Sequence, residues 1–207
     1  AFESGRPTLF FYPKICLNDR ENATSSDVEK QLVPPGKART VRQGEDITLV
    51  SYGNTVKLCL QAAAALSPQG AQAEVIDLRT LQPWDKKTVA ASVEKTGRLV
   101  VVHEDNESAG MGSEIITVMA ETVTRPFRVR RVARADTYVP CNFANQLEVL
   151  PSYKRILETA VEMLGGQVVW KLPPTAQEGY FLVEAIGSSP SDESVTVARW
   201  LVRPGDT

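Results

Sequence analysis

The chain has 207 residues, a formal net charge of −2 and 43% hydrophobic residues, which is ordinary globular composition with room for one large domain. Lysine and arginine form no long run, so nucleic acid is a poor candidate partner. No stretch approaches the roughly 20 apolar residues of a membrane helix, and the first residues lack the pattern of a signal peptide. The widely spaced Cys16, Cys59 and Cys141 indicate free thiols in a reducing compartment. We therefore expect a cytoplasmic protein, or a mitochondrial matrix protein if the source is eukaryotic.

The predicted elements alternate between strand and helix along most of the chain. A short strand is predicted at residues 7–14 (PTLFFYPK), followed by a polar connecting segment that ends at Gly36. The next elements are predicted as follows: strand 37–42, strand 47–52, helix 55–66, strand 75–78, a helix from Asp85 as N-cap to Lys95, strand 99–103, helix 111–123 and strand 127–133. Ser152 can cap a last helix that Gly165 and Gly166 end.

This alternation, with its short links, predicts a three-layer α/β/α sandwich around a largely parallel sheet. The body of the sandwich spans residues 37–166, and residues 1–36 form an N-terminal strand and linker. Residues 167–207 differ in character, with a proline pair, a Gly/Ser/Pro loop and an alternating run, VTVARWLV. They predict a small β appendage with strands at 180–186 and 195–202.

Several motifs occur together in an order that resembles one family. They are ITLVSYG (47–53), AEVIDLRTLQPWD (73–85), TGRLVVVHED (96–105), GMGSEI (110–115) and Tyr138-Val139-Pro140. They resemble the C-terminal domain of the transketolase family, and most closely that of the beta subunit of the decarboxylase component of 2-oxoacid dehydrogenases. The resemblance runs from about residue 7 to residue 165. It implies a five-stranded mixed sheet with one antiparallel strand, which we expect at residues 37–42.

The same resemblance carries implications for function. In that family, thiamine diphosphate and Mg are held by domains N-terminal to the matched region, so we expect no cofactor, metal or catalytic residue in these 207 residues. The first strand would belong to the preceding pyrimidine-binding domain. The implied role is assembly and docking within a pyruvate or branched-chain 2-oxoacid dehydrogenase, as a homodimer that also meets the other subunits and the acyltransferase component. Residues 195–207 resemble the first half of a lipoyl domain.

His103 is the only histidine, and it closes a predicted strand beside Glu104 and Asp105. A functional interpretation makes it an acid or base whose pKa the carboxylates raise. The structural interpretation makes it a hydrogen-bonded residue at the strand end. We favour the structural one, because no nucleophile or second catalytic group accompanies it.

A glycine pair, Gly110 and Gly112, opens the predicted helix after this strand. Free amides at a helix start favour anions, so a stand-alone Rossmann-like module that binds a nucleotide or anion is an alternative function. The third glycine of the dinucleotide motif is missing, and Glu114 would repel a phosphate. Tight packing of the helix against the strand is the favoured explanation.

Two charged groupings remain. Asp77 and Arg79 flank Leu78, so a structural ion pair is expected. Five arginines crowd the last strand and form the densest basic cluster: Arg125, Arg128, Arg130, Arg131 and Arg134. They predict either a solvated strand edge that charge protects from aggregation or a docking patch for an acidic partner surface.

Overall fold

The computed structural model describes residue 5, residues 7–13 and residues 33–168. The predicted β appendage and its lipoyl-like segment lie outside the described residues from residue 169 onward, as does most of the predicted linker. The elements are β1 Arg39–Arg42, β2 Ile47–Ser51, α1 Thr55–Leu66, β3 Ala73–Asp77, α2 Lys86–Thr96, β4 Arg98–Asn106, α3 Met111–Thr122, β5 Arg128–Arg134, α4 Phe143–Val149 and α5 Tyr153–Met163. A single 3-10 turn, Ser67–Gln69, follows α1.

The five strands form one mixed sheet in the order β1-β3-β2-β4-β5. Strands β2 to β5 run parallel, whereas β1 pairs antiparallel with β3 and places Arg39 opposite Asp77. The predicted sandwich, its parallel sheet and the single antiparallel strand at residues 37–42 are therefore confirmed.

Helices cover both faces of this sheet, because alternate residues of each parallel strand point to opposite sides. On one face, Leu49 and Val100 pack in a core that α1 and α5 complete. On the other face, Val50 and Val101 pack in a core that α2 and α3 complete. The polar ends of the strands are therefore left at the two edges of the sandwich, where loops meet.

The loop between β3 and α2 is held by Asp85, the predicted N-cap. Its side chain accepts hydrogen bonds from the Thr88 amide and hydroxyl, and Oδ2 also accepts from the Ala38 amide just before β1. Burial alone would raise the pKa of Asp85, but these hydrogen bonds outweigh it and lower the pKa. One carboxylate thus begins α2 and positions the antiparallel strand. Gly97, in the left-handed conformation, ends the same helix.

The far end of the sandwich is fixed by two arginines at the start of β4 and β5. Arg98 Nε and Arg128 Nη1 both donate to the Met163 carbonyl, at 3.1 Å and 3.0 Å. Guanidinium groups satisfy a carbonyl that has no helical partner and complement the negative end of the helix dipole. The last turn of α5 is therefore anchored beside the amino ends of the parallel strands.

Two parts of the chain differ from the sequence-based prediction. Residues 7–13 form no strand, and Leu9, Phe10 and Phe11 are 82–85% exposed. A strand requires a neighbouring strand to satisfy its backbone, and this segment pairs with none in the described part of the chain. Helix α4 was not predicted. Within the described residues, no helix is long and apolar enough to cross a membrane.

Candidate functional site

The predicted site residues gather at the edge where the parallel strands end. At this edge β2, β3 and β4 end, and α1, α2 and α3 begin. We call this the carboxyl edge. In open α/β sheets this is the edge at which ligands and partners are usually met.

His103 is fully buried on this edge, on the face that α3 covers. Its Nε2 accepts a hydrogen bond from the Gly112 amide at 3.0 Å. Its ring also lies parallel to that of Tyr52, with 6.1 Å between the ring centroids. Its Nδ1 is buried and has no hydrogen-bond partner among the described residues. Since Nε2 accepts, Nδ1 carries the proton of the neutral ring.

Gly112 is the residue that makes this contact possible. A Cβ at position 112 would lie 2.2 Å from His103 Nε2 and 2.9 Å from Cδ2. No side chain fits there unless the ring moves, and the ring is fully enclosed. The glycine is therefore explained by close packing of helix on strand, as the favoured interpretation stated.

The pKa of His103 is lowered, whereas the functional interpretation required it to be raised. Burial is the main cause, and the Arg131 guanidinium adds to it, while Asp105 opposes it. The imidazole is thus neutral and serves as a hydrogen-bond acceptor at physiological pH. This is the role of a structural residue that closes a strand.

The first turn of α3 has already used its amides. Met111 donates to Asp105 Oδ2 at 3.2 Å, Gly112 donates to His103, and Ser113 donates to the Gly110 carbonyl at 2.9 Å. A carboxylate of the chain itself occupies the place where a phosphate would sit. This geometry disfavours the alternative of a nucleotide- or anion-binding module.

The corner between β4 and α3, residues 104–112, is tied to the loop after β5. The amide and hydroxyl of Ser108 both donate to the Asp136 carboxylate. The Glu107 amide donates to the Arg134 carbonyl at 2.8 Å, and Arg134 Nη1 donates to the Thr137 carbonyl at 2.7 Å. These bonds connect the two loops as one unit.

The five arginines of the predicted docking patch are engaged within the chain. Their guanidinium groups reach carbonyls as follows: Arg125 reaches Glu94 and Lys95, Arg128 reaches Met163, Arg130 reaches Val129, Arg131 reaches Glu107, and Arg134 reaches Glu104 and Thr137. Arg130 also lies 3.7 Å from Glu162, an exposed pair of little energetic weight. Each of these guanidinium groups is therefore bonded to a carbonyl of the chain, and a docking patch for an acidic partner stays a prediction.

Part of this arginine cluster shields the free edge of the sheet. Strand β5 pairs only with β4 in the described residues, and its residues 129, 131 and 133 direct their backbone away from β4. Arg130 Nη1 donates to the outward Val129 carbonyl at 3.2 Å, and Arg155 Nη2 donates to that of Ala133 at 3.1 Å. The arrangement matches the expectation of a strand edge protected by charge.

Asp77 and Arg79 meet through the backbone and not through an ion pair. Asp77 Oδ1 accepts from the Arg79 amide at 3.1 Å, while the Arg79 guanidinium donates to the Ala38 carbonyl. Arg79 adopts φ of 58°, which a non-glycine residue seldom does. The pKa of Asp77 is raised, mainly by burial.

The apolar surface of the described residues is concentrated at the carboxyl edge. The large exposed apolar side chains are Leu9, Phe10, Phe11, Tyr12, Val33, Leu81, Tyr138, Val139 and Leu147. Val33 precedes the antiparallel β1, and Leu81 lies in the loop after β3. Tyr138 and Val139 lie in the loop after β5, and Leu147 lies in α4, which follows that loop. Residues 9–12 lead to Pro13, whose Cγ would lie 3.7 Å from a Cβ on Gly53, directly after β2. Such a one-sided distribution is typical of interaction surfaces.

The fold and its edge define an α/β sandwich domain in which the first amides of α3 are bonded within the chain and the carboxyl edge is rich in exposed apolar side chains. The family model described as transketolase, C-terminal domain, matches residues 36–156. The chain therefore belongs to the transketolase C-terminal domain family, as the sequence motifs indicated.

Individual relatives agree with this membership. The chain is 44% identical over 163 residues to the pyruvate dehydrogenase E1 component subunit beta of Staphylococcus epidermidis, a match that covers 77% of this chain and 49% of the relative. It is 41% identical over 167 residues to the subunit of the same name from Staphylococcus aureus, covering 79% and 50%. This chain thus spans about half the length of these relatives.

A solved structure also resembles the chain. It is described as split gene transketolase, inactive beta4 tetramer, with a TM-score of 0.59 and 26% identity. The match covers 66% of this chain and 45% of that chain. The lipoyl-like segment lies beyond the residues that the family model matches.

Proposed function

We propose that this chain is the C-terminal assembly domain of a beta-type subunit of a thiamine-diphosphate-dependent 2-oxoacid dehydrogenase of the pyruvate type. Chemistry would take place in other domains and subunits. The observation that carries the proposal is the concentration of exposed apolar side chains at the carboxyl edge, in a chain homologous to pyruvate dehydrogenase E1 beta subunits. The resemblance of residues 195–207 to a lipoyl domain stays a prediction from sequence.

Residues 7–13 have a distinct part in this proposal. Consecutive residues of a strand point to opposite sides, so an exposed run from Leu9 to Tyr12 is apolar on both faces. Such a run is typical of a strand buried in the middle of an α/β sheet. We infer that this segment completes the sheet of a neighbouring domain, which explains its exposure beside this body.

The described residues do not fit thiamine diphosphate with Mg. The amides at the start of α3 are already bonded to the chain's own side chains. No group of three or more metal-ligating side chains occurs in the described part of the chain. We therefore assign the cofactor to the catalytic domains of the complete enzyme and derive no step through it here.

Isothermal titration of the 207-residue chain with thiamine diphosphate and Mg²⁺ is expected to show no binding, and the chain alone is expected to show no decarboxylase activity. The physical reason is that the first amides of α3 are bonded within the chain and that the described residues hold no group of three or more metal-ligating side chains. The positive control is a complete E1 enzyme under the same conditions. Micromolar binding by the chain would contradict the assignment of the cofactor to other domains.

The isolated chain is expected to self-associate through the carboxyl edge. In the complete enzyme, we propose that the assembly also includes the acyltransferase component. The triple change Leu81→Ser, Tyr138→Ser and Val139→Ser should weaken that association by at least tenfold, because all three side chains are exposed at this edge and each large apolar side chain removed from a contact costs about 1.5–3 kcal/mol. Sedimentation velocity over a concentration series measures the effect.

Glu121→Ser is the matched control for this experiment, because Glu121 is exposed near the end of α3, at the opposite edge of the sandwich. We expect it to leave the dissociation constant unchanged. A strict monomer at high concentration, or equal behaviour of the triple variant and the control, would contradict docking through this edge.

A further inference from the structure

We propose that His103 is an acid-sensitive latch that holds the corner of residues 104–112 against α3 and, through that corner, positions the Tyr138 loop of the docking surface. The latch itself follows from the geometry of the ring. Its effect on assembly rests on the proposed function.

The latch is closed only while the ring is neutral. Neutral Nε2 accepts the Gly112 amide at 3.0 Å, whereas a protonated Nε2 would direct its N–H at that same N–H. The ring has no exposed surface through which a second proton could be solvated. Its Nδ1 makes no well-formed hydrogen bond among the described residues, and the nearby Asp105 backbone, which favours a protonated ring, is outweighed by burial. Protonation therefore replaces an attractive contact with a repulsive one, and the corner has to open.

Charged and titratable groups face the ring from the strands around it. Tyr52, on the β2 side, stacks on the ring and stays neutral, since burial and then Asp105 and Glu104 raise its pKa to about 12. Asp105 favours a protonated ring, but its Oδ2 is engaged by the Met111 amide on α3. Arg131, from β5, disfavours protonation. On α3 itself, Glu114 is the acidic residue of the first turn. Burial decides the balance, and it favours the neutral ring.

Hydrogen bonds connect the corner to the loop that carries Tyr138 at the carboxyl edge. Ser108, in the middle of the corner, is bonded to Asp136, and the Glu107 amide is bonded to the Arg134 carbonyl. Tyr138 follows two residues after Asp136 and is 92% exposed. Opening the corner therefore releases the loop that presents Tyr138, the most exposed aromatic side chain of the described residues.

The direction of the pH effect follows from the lowered pKa of His103. An unfolded histidine titrates near 6.5, and the folded ring titrates below that value. The corner is therefore fully closed above about pH 6.5 and loses stability as the pH falls below it. Between about pH 6.5 and the lower pKa of the closed ring, each pH unit of acidification multiplies the equilibrium constant for opening by up to tenfold, and below the pKa of the closed ring the constant levels off.

Because His103 is the only histidine of the chain, its ring can be titrated by NMR without assignment by mutation. Hydrogen exchange in the full chain should show a loss of protection at Gly112 and Ser108, after correction for intrinsic rates, with the same midpoint as the ring. His103→Gln is the matched control, since its side-chain oxygen can accept the Gly112 amide but does not titrate. We expect its protection to be independent of pH.

A ring that titrates near 6.5 while Gly112 stays protected would overturn the latch, and so would an equal loss of protection in His103→Gln. If His103→Gln fails to fold, the unmodified chain provides the test. The midpoint of ring titration and the midpoint of lost amide protection must then agree, and different midpoints would overturn the latch. Sedimentation of the same samples separates the two ideas. A corner that opens in acid in a chain that never associates confirms the latch and contradicts the proposed function.

Discussion

Gly112→Ala is expected to lower the free energy of unfolding by about 2 kcal/mol, although alanine is the better helix former by about 1 kcal/mol. The new Cβ would lie 2.2 Å from His103 Nε2, and a fully buried ring cannot give way. Overpacking of this kind costs about 1–3 kcal/mol, and the lost hydrogen bond adds about 1 kcal/mol. Urea unfolding at pH 7.5 measures the change.

A double-mutant cycle with His103→Ala provides the control for Gly112→Ala. Removal of the ring removes the clash, so the alanine at 112 should cost much less in that background. The two substitutions should therefore be coupled by more than 1 kcal/mol. Gly112→Ala with wild-type or higher stability would show that the ring does not pack against α3 as described.

Lys95→Met is expected to have a still larger effect, about 3 kcal/mol. Lys95 Nζ lies 2.6 Å from Glu74 Oε2, and the Glu74 side chain is only 6% exposed. Removing the lysine leaves a buried carboxylate with one remaining bond, a 3.4 Å contact from the Gly44 amide. Breaking a buried pair from one side costs about 3–5 kcal/mol. We expect the lower end, because the lysine side chain is 32% exposed and water can approach.

Glu45→Gln supplies the matched control, since Glu45 lies 3.5 Å from the same ammonium but is 72% exposed. We expect a change within about 0.5 kcal/mol. The double variant Glu74→Met/Lys95→Met should recover most of the loss, because it leaves no unpaired charge. Equal small losses for Lys95→Met and Glu45→Gln would show that Glu74 is accessible to water.

The elements that were predicted correctly have strong local signals. Helix α1 has an alanine-rich core, and α2 begins at Asp85 and ends at Gly97 because a cap and a left-handed glycine act within a few residues. By contrast, α4 has only seven residues, too few to show a long apolar repeat, although Asn142 caps its start. A bond from the Ala135 amide to the Val149 carbonyl helps to fix its position. Such a tertiary contact leaves no periodic trace in the sequence.

The candidate site also has features that the sequence predicts and features that it does not. The position of His103 at a strand end was readable, but its neutral state depends on Gly112, nine residues later, and on complete burial. A glycine in the first turn of a helix that follows a strand-ending histidine is the signal that pointed to this packing. The density of arginines near β5 was visible too. That each guanidinium would meet a carbonyl of the chain was not, because those carbonyls belong to other loops and helix ends.

The anchoring of α5 by Arg98 and Arg128 has a practical consequence for experiments. Both arginines hold the Met163 carbonyl at the amino ends of β4 and β5, so the chain leaves the sandwich at the end away from Tyr138. A biotin or a fluorophore attached to a side chain at the exposed position 167, just after α5, therefore starts from the far side of the body. Immobilised on a sensor chip by that handle, the protein would present Leu81, Tyr138 and Val139 towards the flowing solution.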